Sequence, residues 1–190
     1  MGNTPPLLTF HFTQTEAIMS QPFELERGSS KLSGTINEGA LDGPFKVLDA
    51  KKPLASMQYK NGDLHGPMLM MHPNGKPSAQ LHYQAGLLHG PAKFFSPQGA
   101  LQRECVYQHG QLQGVAKNYF NNGKVAQLEH YQAGLQHGEQ LRYHPNGQIA
   151  ERQHFKNGLS DEEVQQFASD GKLLGEDGKP ISKIKTWLKT

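Results

Sequence analysis

Three columns of glycine, each recurring every 24 residues, constrain this chain more than any other feature of it. Gly62, Gly86, Gly110, Gly134 and Gly158 make the first column, with Tyr59, Tyr83, Tyr107, Tyr131 and Phe155 standing three residues ahead of them. Gly66, Gly90, Gly114 and Gly138 make the second, and Gly75, Gly99, Gly123, Gly147 and Gly171 the third. Ile36, Gly39 and Gly43 fit the same frame one residue short, which gives a first unit of 23. Periods of this size belong to repeat architectures, in which each unit buries apolar side chains only against its neighbours. The composition agrees, because 35% hydrophobic residues alongside 21 Gly and 12 Pro is too little apolar material for a thick closed core.

The chemistry of each unit predicts its shape. Asn61-Gly62, Asn74-Gly75, Asn122-Gly123, Asn146-Gly147 and Asn157-Gly158 are the dipeptide favoured in two-residue type I′ turns, where both residues need positive φ. Two such turns per unit, about 12 residues apart, predict two strands per unit and an up-and-down antiparallel meander. Turns at 146–147 and 98–99 place Arg142 opposite Glu151 and Lys93 opposite Glu104. Opposite charges in such positions add a few tenths of a kcal/mol or more. The same counting sets Tyr59, Tyr83 and Tyr107 against Leu64, Leu88 and Leu112. The middle glycine column falls inside a strand, and predicts a bulge, a bend or an aromatic ring over bare backbone. The expected architecture is all-β: an elongated, curved, single-layer antiparallel meander of about six hairpin repeats. Some twelve strands at roughly 4.8 Å each make it about 55 Å long.

The ends break the pattern. Residues 1–31 carry no repeat signal and are expected to be a lead followed by a cap on the first sheet edge, with Met19 an alternative start; the array runs over 32–178. Ser160-Asp161-Glu162-Glu163 has the form of a helix capping box. Phe167 and Gly171 nevertheless stay in register with Tyr143 and Gly147, which favours a degenerate sixth hairpin. Residues 179–190 are basic, and Ile181, Ile184, Trp187 and Leu188 have helical spacing, so a short capping helix is expected there.

Several functions are disfavoured by composition. A net charge of +2, with 19 basic and 17 acidic residues intermixed, offers no field for a polyanion, and no nucleic-acid partner is expected. The single cysteine, Cys105, permits no internal disulfide. The first 21 residues lack a basic n-region and an unbroken apolar run, and no segment approaches the roughly 18 apolar residues of a membrane span. A cytoplasmic protein with no membrane partner is the expectation. His65, His89 and His137 share a column, yet equivalent positions lie two strands apart, roughly 10 Å, too far to converge on one zinc ion. No metal, other cofactor or catalytic residue is expected, since no P-loop, nucleophile elbow or HExxH-type motif occurs and Cys105 has no evident base or pocket.

The run Tyr-x-Asn-Gly-x-Leu-x-Gly, followed by a strand and Pro-Asn-Gly, as between Tyr59 and Gly75, resembles the bacterial variant of the MORN repeat over residues 32–178. The resemblance implies a non-enzymatic protein that binds others. Small bacterial proteins built of this variant are similar to antitoxin or immunity proteins that occlude a cognate toxin, often a secretion-system effector. A membrane-proximal scaffold binding anionic lipid and partner proteins is the alternative. In a repeat array the columns that vary between units carry specificity. One runs Met70, Phe94, Asn118, Arg142 and Gln166, and its counterpart on the returning strand runs Ala79, Arg103, Gln127 and Glu151. Apart from Ala79, these are the expected partner-binding residues.

Overall fold

The computed structural model describes residues 20–160 and 162–181. Every regular element among them is a β-strand, and all belong to one antiparallel sheet whose consecutive strands pair. The sheet starts upstream of the repeat: strand Gln21–Arg27 pairs along its whole length with Ser30–Asn37. Each following unit has a two-residue strand after a turn, an outgoing strand and a longer returning strand. One unit comprises Asp63–Leu64, Gly66–Met71 and Pro77–Gln84; the next Leu87–Leu88, Gly90–Phe95 and Leu101–Gln108; the next Gln111–Leu112, Gly114–Tyr119 and Val125–Gln132; the next Leu135–Gln136, Gly138–Tyr143 and Ile149–Lys156. Arg142 pairs with Glu151, Lys93 with Glu104, and Tyr59, Tyr83 and Tyr107 with Leu64, Leu88 and Leu112, in the register the sequence predicts.

The turns ahead of the two-residue strands are of type I′. Asn61 and Gly62 have φ of 51° and 87°, and the pairs Ala85-Gly86, His109-Gly110, Ala133-Gly134 and Asn157-Gly158 repeat this conformation. The glycine N–H then donates to the preceding hairpin, as Gly86 to Leu64 O at 2.9 Å and Gly158 to Gln136 O at 2.8 Å, so the turn also fastens one unit to the next.

The Asn-Gly pairs at 74–75, 122–123 and 146–147 correct the sequence reading, because only their glycines enter the left-handed region, at 80°, 80° and 93°. In the first of them Gly75 N–H donates to His72 O (2.9 Å) and His72 N–H to Lys76 O (2.8 Å). This is a three-residue loop, a type I turn closed by a left-handed glycine. At two of the three, Pro73 and Pro145 hold φ near −65°, which suits the first central position of a type I turn; Asn121 takes that place in the third. The Asn74 side chain completes the loop by accepting from Lys76 N–H at 3.1 Å. In the first unit Ala50 and Lys51, at φ 46° and 65°, make a two-residue turn instead, and this accounts for the missing residue.

The middle glycines mark a bulge, as their place in a strand suggests. From Tyr59↔Leu64 to Ala55↔Met70 the pairing advances four residues on one strand and six on the other, and Gly66, at φ 94°, sits at the discontinuity. An L-side chain disfavours that conformation. Beyond the last full unit, Gln165–Gln166 pairs with the strand Ile149–Lys156, and the bridges Phe167↔Leu173 and Leu174↔Pro180 continue a degenerate hairpin. The expected capping helix falls on residues 182–190, outside the described residues; of its four apolar positions only Ile181 is described.

Burial is confined to a strip on one face. Ala79, Leu81, Ala92, Cys105 and Ala116 are its apolar members, and Tyr83, Tyr107, Tyr131, Leu88 and Leu112 pack against them. Small side chains at 92 and 116, each 1% exposed, leave room for the neighbouring rings, so a single layer excludes water without a second sheet.

Candidate binding face

Alternation along each strand puts the even-numbered and odd-numbered neighbours on opposite faces, and the direct pairings decide which residues meet. Met70, Ala79, Phe94, Arg103, Asn118, Gln127, Arg142, Glu151 and Gln166 are successive cross-strand partners. All eight residues singled out in the sequence thus lie in one continuous row, on the face that carries the buried strip. Eight strand spacings give the row a length of roughly 40 Å.

The chemistry of the row changes along its length. Met70 and Phe94 make an apolar start, with Met70 39% exposed and Phe94 half-buried. At the centre lies a polar cluster around Glu129, a residue of the adjacent buried strip that is 7% exposed. Glu129 accepts from Arg103 Nη1 at 2.9 Å, from Gln127 Nε2 at 3.1 Å and from Asn118 Nδ2 at 3.4 Å, while Arg103 also donates to Asn118 Oδ1 at 2.8 Å. Burial pulls the Arg103 guanidinium pKa down, and the Glu129 carboxylate together with the Tyr131 and Cys105 side chains more than offsets this, so the net shift is upward. Arg103 is therefore a fixed, committed cation. Arg142 is not: its side chain is 61% exposed and stands 3.7 Å from Glu151, too long for a hydrogen bond. Of the two arginines in the row, Arg142 is the one available to an incoming carboxylate.

Nothing on this face assembles a reaction centre from the described residues. Burial pushes the Cys105 thiol above its ordinary range, which keeps it protonated and weakens it as a nucleophile. No three His, Cys, Asp or Glu side chains among the described residues come together as ligands. The histidine column has a structural use instead: Gln113, its one non-histidine member, accepts the Ala133 N–H at 2.9 Å, and His89 Nδ1 stands 3.5 Å from the His109 N–H. In these two units the position reaches across to the next type I′ turn, whereas the buried His137 Nδ1 has no hydrogen-bond partner among the described residues.

Two groups of residues escaped the sequence reading. Glu129 and Gln140, both buried, form the polar end of the strip, and nothing in their columns distinguishes them from exposed glutamate and glutamine. His72 and His144 bond through Nε2 to the carbonyls of Phe95 and Phe167 (2.9 and 2.8 Å), while Asn74 and Asn146 donate to Pro97 O and Ser169 O (2.6 and 2.7 Å). These bonds join the loops at 73–75 and 145–147 to the loops that follow them. Their signal was present in the His-Pro-Asn-Gly recurrence, at 72–75 and 144–147.

Comparison with known families assigns residues 88–109, 112–133 and 136–157 to the family described as MORN repeat variant. Three of the repeat units match that family's model. Repeats of this family are binding scaffolds for proteins and lipids and are not catalytic. A search of curated proteins returns no match. Among solved structures, one described as "Crystal Structure of TarM" aligns at 12% identity with a TM-score of 0.29, covering 73% of this chain. The chain spans 22% of that structure's length.

Proposed function

We propose that this MORN-repeat protein is a non-catalytic immunity or antitoxin protein, which seats a toxin or effector protein along the row from Met70 to Gln166 and occludes it. The reading rests on one observation: the positions that vary between otherwise constant units are direct neighbours, so they form a single surface. That surface joins an apolar end, at Met70 and Phe94, to an exposed arginine, and side chains of these kinds dominate the energetics of protein interfaces. The polar cluster on Glu129 holds the middle of the row rigid, which lowers the ordering cost of association.

The test is co-expression with the proteins encoded beside its gene, scored by growth protection and by titration calorimetry. A one-to-one complex is expected, weakened about thirtyfold or more by Arg142→Glu or Phe94→Asp. Full protection by both variants, or no complex with any neighbouring product, refutes the proposal. Co-sedimentation with anionic vesicles separates this reading from lipid scaffolding.

A further inference from the structure

The face opposite the row holds a groove of about 540 Å³ across the N-terminal half of the sheet. Its floor is a second registered row, Lys46, Ser56, Leu69, Gln80 and Lys93, each the direct cross-strand partner of the next. Its wall is built by Pro44, Pro67 and Pro91, the residues that follow three bulge glycines. These prolines stand on three successive outgoing strands, so the ridge crosses the sheet at right angles to its strands.

Charge is distributed unevenly here. Lys46 and Lys93 close the two ends of the floor row, both exposed, and no aspartate or glutamate lines the groove. The nearest acid beyond it along the row is Glu104, opposite Lys93, and its Oε1 is engaged by Lys117 at 3.2 Å and by the Tyr119 hydroxyl at 2.6 Å. The Tyr119 hydrogen bond, with Lys117 assisting, holds that carboxyl below its ordinary range. Glu104 thus accepts its hydrogen bonds from Tyr119 and Lys117 and meets Lys93, its cross-strand partner, through charge alone. Between the lysines, four strand spacings or roughly 19 Å apart, lie the uncharged Ser56, Leu69 and Gln80, with the proline ridge beside them.

We propose that this groove is a second docking site, fitted to an extended acidic peptide segment of a partner protein that crosses the strands. Charge complementarity selects the occupant. An extended chain rises about 3.4 Å per residue, so carboxylates five or six residues apart meet Lys46 and Lys93 together, with apolar side chains between them on Leu69 and Pro67. The segment contributes no strand, because the backbone groups of these inner strands are already paired; recognition is by side chains alone.

The proposal is independent of the row on the other face, and selection from a random 12-residue phage-displayed library on the immobilised full-length chain tests it. Enriched peptides are expected to carry Asp or Glu at a spacing of five or six residues around apolar positions. They should bind Lys46→Glu/Lys93→Glu about tenfold or more weakly, and Arg142→Glu unchanged. Both lysines are exposed, and unaltered far-UV circular dichroism and thermal midpoint check that the double variant is folded. Enrichment of peptides without acidic residues, equal binding to the charge-reversed protein, or no enrichment at all overturns the assignment.

Discussion

The two Asn-Gly turns at either end of strand Ile149–Lys156 should respond unequally to the same substitution. Asn157 has φ of 51°, a conformation an L-residue adopts at a cost and glycine adopts freely. Asn157→Gly removes that cost while adding unfolded-state entropy of about 0.5–1 kcal/mol, and the two nearly cancel. Asn146 is not left-handed; its Oδ1 accepts from Gln148 N–H at 3.0 Å and its Nδ2 donates to Ser169 O at 2.7 Å. Asn146→Gly incurs the same entropy and loses both exposed bonds, each contributing about 0.5 kcal/mol or more. The expected outcomes are a change within about 0.5 kcal/mol for Asn157→Gly and a loss of about 2 kcal/mol for Asn146→Gly. Urea unfolding followed by circular dichroism resolves this as a shift of midpoint at constant slope. Equal losses at the two sites would refute the assignment of two turn types.

Three further outcomes follow from side chains already described. Ala133→Asn places a residue tolerant of positive φ where alanine now stands at 48°, and should raise stability by about 0.5–1 kcal/mol in the same assay. Glu129→Gln keeps the shape of the polar cluster and strands the half-buried Arg103 guanidinium; a loss of about 2 kcal/mol is expected, largely recovered when Arg103→Met is added, as a double-mutant cycle will report. Tyr119→Phe removes the chief cause of the lowered Glu104 pKa. The stability tied to that depression is present above the ordinary value of 4.5 and lost as pH falls through the folded value, so the variant should show a shallower acid-side decline in thermal midpoint. Burial, with the Glu104 bond assisting, pushes the Tyr119 phenol up to about 12, so the wild type should also lose stability between its ordinary value of 10 and about 12, and the variant should not.

Most of the fold was legible because backbone reversals are written in glycine, and glycine was periodic. Once turns were fixed, pairing partners such as Arg142 with Glu151 followed by counting. What misled the reading at Asn74 and Asn146 was a dipeptide that serves two conformations. The proline ahead of it suits the first central position of the three-residue loop, yet Asn121 takes that place ahead of Asn122 in the same conformation, so the dipeptide alone does not choose between the two turns. The row of variable residues was legible for the same reason as the pairing, since two columns in register must meet. The buried cluster was not, because burial of Glu129 depends on the rings and chains of flanking units rather than on its own neighbours in sequence. Its three donors, Arg103, Asn118 and Gln127, come from three different strands.

The hydrogen bonds that run from each turn to the turn 20 to 24 residues away touch no unit beyond the adjacent one. Duplicating or excising one 24-residue module therefore rejoins donors to equivalent acceptors, and the backbone registers on either side of the splice are preserved. Such an event alters two adjacent positions of the row between Met70 and Gln166 at a stroke. A gene of this kind can change what it grips by recombination in whole modules, faster than by point substitution and without first relearning how to fold.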